Sequence, residues 1–177
     1  TRNIKDRLEQ ELIHNVALRV KPGDTPDKFV VSGRGELHLS VLIETMRREG
    51  FEMGVSRPEV VQKLVDGVIH EPFEQVVIDV EEQHQGSVME ELGLRKAELT
   101  NMEPDGKGRV RLEFLMPSRG LIGFRGAFLT MTSGSGIMTS IFDRYAPAKQ
   151  GDKFSRGNGA LVSMVKGKTA AFALFNI

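Results

Sequence analysis

Residues 105–116 read DGKGRVRLEFLM, and the fold is decided here. Asp105-Gly106 is a turn pair, and beyond it Val110, Leu112, Phe114 and Met116 alternate with polar residues, the pattern of a hairpin strand with one buried face. Upstream, Val76, Ile78 and Val80 alternate in the same way. Between these two strands Val88 and Leu92 sit one helical turn apart, and Ser87 with Glu90 forms a capping box at the start of a helix. Downstream, Leu121, Phe124 and Phe128 share a helix face, and Ile137, Thr139 and Ile141 read as a closing strand. The order is β-α-β-β-α-β.

The first half repeats that order without its opening strand. Ile4, Leu8 and Leu12 form a helix stripe. Val16, Leu18 and Val20 alternate, and Pro22-Gly23-Asp24 turns the chain into Phe29-Val30-Val31. Leu39, Leu42, Ile43 and Met46 mark a second helix, with Gly50 placed as its C-terminal cap. Phe51, Met53 and Val55 alternate before Pro58 stops the strand. Arg34-Gly35 falls 85 positions before Arg119-Gly120, each pair at the opening of the second helix of its unit. The fold class read from this is α+β: two tandem ferredoxin-like split βαβ sandwiches, the first lacking its opening strand, followed by a short β segment. The expected divisions are 1–70, 71–149 and 150–177. A sheet short of one strand, and two orphan strands near Leu161–Val165 and Ala171–Phe175, are expected of a piece cut from a longer chain.

Composition narrows the function classes. The 177 residues contain 24 Lys plus Arg and 24 Asp plus Glu, for a net charge of zero, so only the distribution of charge can speak for a nucleic-acid partner. The sole basic block is the tail, where Lys153, Arg156, Lys166 and Lys168 stand against Asp152. No cysteine is present, which excludes disulfides, thiolate nucleophiles and cysteine-ligated metals and fits a cytoplasmic setting. No apolar run approaches the ~20 residues of a membrane span, so no membrane partner is expected.

Catalytic signals are absent. Gly167-Lys168-Thr169 ends like a phosphate-binding loop, but Val162 stands where that loop needs a glycine, and Ala170–Leu174 reads as strand rather than helix. His14, His38, His70 and His84 have no metal-ligand spacing. His38 falls among apolar helix positions and reads as a packed or capping residue. The neighbours Glu81-Glu82 and Glu90-Glu91 point apart and make no acid–base pair. No nucleophile elbow occurs. An acylphosphatase-like use of the same sandwich would need an arginine and an asparagine on one phosphate loop, and Asn101 lies on a strand instead.

RNA binding has partial support. The RNA-recognition motif shares this element order and stacks bases on two aromatics of its third strand. Here that strand reads Lys107-Gly108-Arg109-Val110-Arg111, with arginine at both stacking positions. Arg109 and Arg111 should lie on the open sheet face, within reach of phosphates or of Glu113. Arg34 and Arg119, each just ahead of a helix, are placed for anions. His84, at a strand end, suits a phosphate or partner contact.

The segment SGRGELHLSVLIETMRREGFEMGVSRPEV, residues 32–60, resembles the third domain of elongation factor G-class translational GTPases, and specifically the BipA/TypA family. EEQHQGSVMEELGLRKAEL and PDGKGRVRLEFLMPSRGLIGFR, within residues 81–125, are similar to the same family, as are MTSGSGI at 131–137 and AFALF at 171–175. Arg125-Gly126-Ala127-Phe128 departs from it in being richer in glycine. The short Pro58–Pro72 link also resembles this family rather than elongation factor G itself, which inserts a long domain there. The resemblance implies the C-terminal portion of a ribosome-associated GTPase, active in stress-responsive translation, virulence regulation or ribosome assembly.

No catalysis and no cofactor are expected in this stretch; GTP and Mg belong to the missing GTPase domain, a partner in cis. The implied partner is the ribosome near the A site: both subunits, rRNA and possibly A-site tRNA. By the same resemblance, Gly33–Leu39 faces other domains and the small subunit, and the helix after Arg119, which carries Arg125, faces large-subunit RNA. Lys149, Lys153, Arg156, Lys166 and Lys168 resemble a tRNA- or rRNA-facing region. The alternative reading is a stand-alone ferredoxin-like module that regulates by binding RNA or a small ligand.

Overall fold

A computed structural model describes residues 2–151, 160–162, 166–168 and 170. The chain divides into two compact units: Thr1–Ser56 with Gly159–Ile177, and Arg57–Asn158. Strand pairing sets this division, because the last strand of the first segment pairs with a strand near residue 160, whereas residues 63–65 pair with the strand that follows them.

The first unit contains α1 (Arg2–His14), β1 (Arg19–Pro22), β2 (Phe29–Ser32), α2 (Glu36–Arg48) and β3 (Met53–Val55). Leu8, Leu18, Leu42 and Met46 are buried at its centre, with Ile4, Leu12, Leu39 and Phe51 packed around them. Apart from Leu18 and Phe51, these are the stripes that helical spacing assigns to α1 and α2. Gly50, at φ 93°, closes α2: its amide donates to Arg47 O, and the Phe51 amide donates to Met46 O.

One strand starts later than its alternation predicts. The Asn15 amide still donates to Glu11 O and the Leu18 amide to Asn15 O, so the helix unwinds through a turn that leaves Val16 97% exposed. β1 and β2 form one antiparallel pair, and β3 forms another with a short strand, Ala160–Val162. In the β-α-β-β-α-β order the opening strand lies between the hairpin and the closing strand, and the two pairs stand separate at that place.

The second unit contains β4 (Lys63–Val65), β5 (Val68–Glu81), α3 (Glu82–Leu94), β6 (Glu98–Pro104), β7 (Arg109–Pro117), a 3₁₀ turn (Ser118–Leu121), α4 (Phe124–Met131) and β8 (Ile137–Pro147). The strand at Ala160–Val162 is therefore β9. β5 pairs antiparallel with β7 on one side and β8 on the other, β6 extends the sheet beyond β7, and β4 joins the start of β5. Val76, Ile78 and Val80 of β5 and Val110, Leu112, Phe114 and Met116 of β7 turn one face inward. Val88 and Leu92 of α3 and Phe124 and Phe128 of α4 cover it. Each such side chain, taken out of water, contributes about 1.5–3 kcal/mol.

The hairpin at 105–108 forms as read. Asp105 Oδ1 accepts from the amides of Lys107 (2.7 Å) and Arg109 (2.9 Å), and these bonds hold its carboxyl below the usual aspartate range. The capping box does not form. β5 runs directly into α3, so Ser87 lies past the first turn, and its hydroxyl donates to His84 O at 3.0 Å. Arg119-Gly120 also differs from its expected placement, since it sits in the 3₁₀ turn and α4 starts only at Phe124.

Two outcomes test this packing. A Cβ at Gly136 would stand 2.4 Å from Phe128 Cζ and 2.9 Å from Thr132 Oγ1. Gly136→Ala is expected to cost about 2 kcal/mol by overpacking, whereas a Cβ at Gly126 meets nothing within 4 Å and Gly126→Ala in α4 is expected to stabilise by about 0.5–1 kcal/mol. Urea denaturation of the two variants checks both signs.

In the first unit, Arg7 bonds Glu11 Oε2 and Glu49 Oε1, each at 2.9 Å, and holds both carboxyls below their ordinary 4.5. A depressed carboxyl adds stability above pH 4.5 that is lost as the pH falls through its folded value. Arg7→Met is expected to flatten that acid loss in a pH series of melting temperatures.

Candidate nucleic-acid interface

The cations singled out from the sequence divide into two groups. Three are built into the second unit. Arg109 donates from Nε to Asp79 Oδ1 (2.6 Å) and from Nη2 to Asp79 O (3.2 Å) and Ser135 O (3.3 Å). This ties β7 across β5 to the turn ahead of β8. Arg119 donates from Nε to Glu71 Oε2 at 2.6 Å and from its two terminal nitrogens to Gly151 O and Lys149 O. Lys149 gives its amide to Glu71 Oε1 (2.9 Å) and its Nζ to Lys96 O (2.9 Å) and Glu98 Oε1 (2.7 Å).

Glu71 has 0% exposure and shares its environment with the buried Phe73. A buried carboxylate is tolerated only when paired and hydrogen-bonded. Arg119 and the Lys149 amide fill that role, so the segment 148–151 is held by a carboxylate on β5.

The other group faces solvent. Arg34 is exposed, and its backbone amide donates to His38 Nδ1 at 3.1 Å. That bond makes Nδ1 the acceptor and leaves Nε2 to donate to Asn15 Oδ1 at 3.2 Å, so His38 serves as a packed bridge between α1 and α2. Arg111 keeps 56% of its side chain exposed, 3.7 Å from Glu113. Arg125 is exposed on α4, and Lys166 and Lys168 are exposed. His84 is half-buried in the first turn of α3. Lys153 and Arg156 lie outside the described residues. The structure gathers Arg119 and Lys149 around Glu71, and it spreads the exposed cations over two units.

Sequence reasoning missed one cluster. On β8, the rings of Phe142 and Tyr145 lie 5.6 Å apart at 57°, and Lys63 Nζ of β4 stands 3.8 Å from the Tyr145 centroid. Phe142 is 56% exposed and is the one exposed phenylalanine among the described residues. Its chain neighbours Asp143 and Arg144 line an open trough of about 300 Å³ with Gln75, Thr100, Asn101, Glu113 and Leu115. The signal was present as Phe142-Asp143-Arg144-Tyr145, two aromatics around an arginine, but strand alternation alone placed nothing beside them. No group of three or more potential metal-ligand side chains occurs among the described residues.

The family model described as elongation factor G C-terminus matches residues 68–156, from the first residue of β5 through the end of the sheet and beyond. The chain belongs to that family. Its whole length is also 62% identical to the large ribosomal subunit assembly factor BipA of Haemophilus influenzae and 60% identical to that of Escherichia coli strain K12. The Buchnera aphidicola factor of the same name is 52% identical, again over the whole chain. These likenesses agree with the BipA/TypA resemblance read from residues 32–60 and 81–125. The chain spans 29% of the length of these relatives.

The clamp makes a direct forecast. Glu71→Gln leaves Arg119 without its carboxylate in a site where Arg119 is only 18% exposed. Breaking a buried pair from one side costs about 3–5 kcal/mol, so the urea midpoint of the second unit should fall sharply, while Arg125→Gln should leave it within about 0.5 kcal/mol.

Proposed function

We propose that this chain is the ribosome-docking part of a BipA-type translational GTPase acting in large-subunit assembly or stress-responsive translation in the cytoplasm. The observation that carries this reading is identity of 60–62% along the whole chain to factors named for large-subunit assembly. In this reading the 177 residues perform no catalysis. GTP and Mg act on the GTPase part in cis, and the partners are both subunits near the A site, rRNA and A-site tRNA. A division into two elongation-factor-like units to residue 149 and the start of a further domain belongs to the same proposal.

The physics of the surface suits reversible docking. Zero net charge gives little long-range attraction, and each cation that neutralises a phosphate adds a salt-sensitive increment. Arg34, Arg111, Arg125, Lys166 and Lys168 are exposed and suited to such contacts, as are Lys153 and Arg156 by charge alone. Arg119 and Lys149 contribute first by holding the fold, and His84 offers at most an edge.

Co-sedimentation with purified ribosomes at low and moderate salt tests the reading. Binding that weakens with salt is expected, with Arg34→Glu and Arg125→Glu together lowering affinity about tenfold or more. Absence of binding at every salt concentration would overturn it.

A further inference from the structure

The Phe142–Tyr145 pair has no role in the core of the second unit. Phe114, Phe124 and Phe128 are buried there, whereas Phe142 presents more than half its surface to water on an outer strand of the sheet. Tyr145 is the register partner of Pro72, Phe142 that of Glu74 and Lys63 that of His70, which places both rings and the Lys63 ammonium on one face of the sheet. Lys63 lies over the Tyr145 ring at cation–π distance. Arg144 keeps 61% of its side chain exposed while one terminal nitrogen meets Asp143 at 2.9 Å, leaving further guanidinium donors.

We propose that Phe142 and Tyr145 form a stacking site for an unpaired RNA base, with Lys63 and Arg144 receiving the flanking phosphates. This rests on the ribosome-docking reading and gives it a specific contact. Stacking on an exposed ring beside cations is how single-stranded nucleic acid is held without base-edge readout. The RNA-recognition motif puts its rings on the third strand of the sheet, where this chain has Arg109 and Arg111. Here the rings are on the fourth strand, β8, which among the described residues pairs on one side only, with β5. Cations next to the rings favour a phosphate-bearing partner over a purely apolar one.

The chain carries its own reporter, since Tyr145 is its single tyrosine and it has no tryptophan. Titration with a ten-nucleotide single-stranded oligoadenylate is expected to quench Tyr145 emission saturably, and an RNA duplex of equal length is not. Phe142→Ala and Phe142→Leu should each weaken oligoadenylate binding about tenfold with an unchanged salt slope. Lys63→Ala should lower that slope by about 0.7, the single-strand value for one phosphate. Phe142 is exposed, so these variants keep the fold, which the urea midpoint verifies.

Absence of quenching while the chain still co-sediments with ribosomes overturns the stacking site and leaves the docking reading standing. Absence of both removes the two together. Retention of full RNA affinity by Phe142→Leu, or a Phe142→Ala defect seen with ribosomes but not with RNA, assigns the patch to apolar protein contact and likewise overturns the proposal.

Discussion

A single carboxylate, that of Glu71, constrains the second unit more than any other polar group. It lies fully buried on β5, the strand that pairs with β4, β7 and β8. Charge in such a place must be matched by donors in fixed positions. Arg119 comes from the 3₁₀ turn after β7, and the Lys149 amide comes from the chain just past β8. Three stretches far apart in sequence are thereby brought to one point: the start of the central strand, the entry to α4 and the exit from the sheet. The apolar core explains why sheet and helices pack; the ion pair explains why these ends take one arrangement rather than several.

The same constraint sorts the basic residues. An arginine that satisfies a buried carboxylate and two carbonyls is not available to an external phosphate without losing those bonds. Arg109, held by Asp79 and by Ser135 O, stands in a similar position. Among the described residues, what remains for a partner is a scatter of exposed cations and one aromatic pair on β8. A surface of that kind gives contacts that are few and salt-sensitive.

Much of the fold was legible because it is written in periodicity. Alternation at Val76–Val80 and Val110–Met116, with the stripes at Leu8–Leu12 and Leu39–Met46, identifies strands and helices whose buried faces are those observed. Local signals without a packing partner were less dependable. Ser87 and Glu90 have capping-box spacing, but β5 passes into α3 without a loop, and the helix begins at Glu82. Val16 alternates with Leu18 and Val20, but the last turn of α1 takes it out of the strand.

The candidate site was less legible than the fold, for a physical reason. Whether an arginine is free or engaged depends on contacts 30 to 78 residues away, as with Arg109 and Asp79 or Lys149 and Glu71. Sequence spacing says nothing about such pairs. The Phe142–Tyr145 cluster escaped for a similar reason, because Lys63 reaches it only through the pairing of β4 and β8 with β5. The resemblance to translational GTPases was visible in long segments such as residues 32–60, where specificity comes from many residues at once.

The docking proposed for this chain uses exposed residues of the sheet and α4 and leaves the Glu71 clamp intact. Side-chain oxidation by hydroxyl radicals, read by mass spectrometry with and without ribosomal subunits, tests it directly. Ribosomes are expected to protect Phe142 and Tyr145 on β8 and Leu129 on α4, which is 45% exposed, while Phe124 and Phe128 react equally little in both states. Unchanged oxidation of Phe142, Tyr145 and Leu129 in the presence of saturating ribosomes would contradict it.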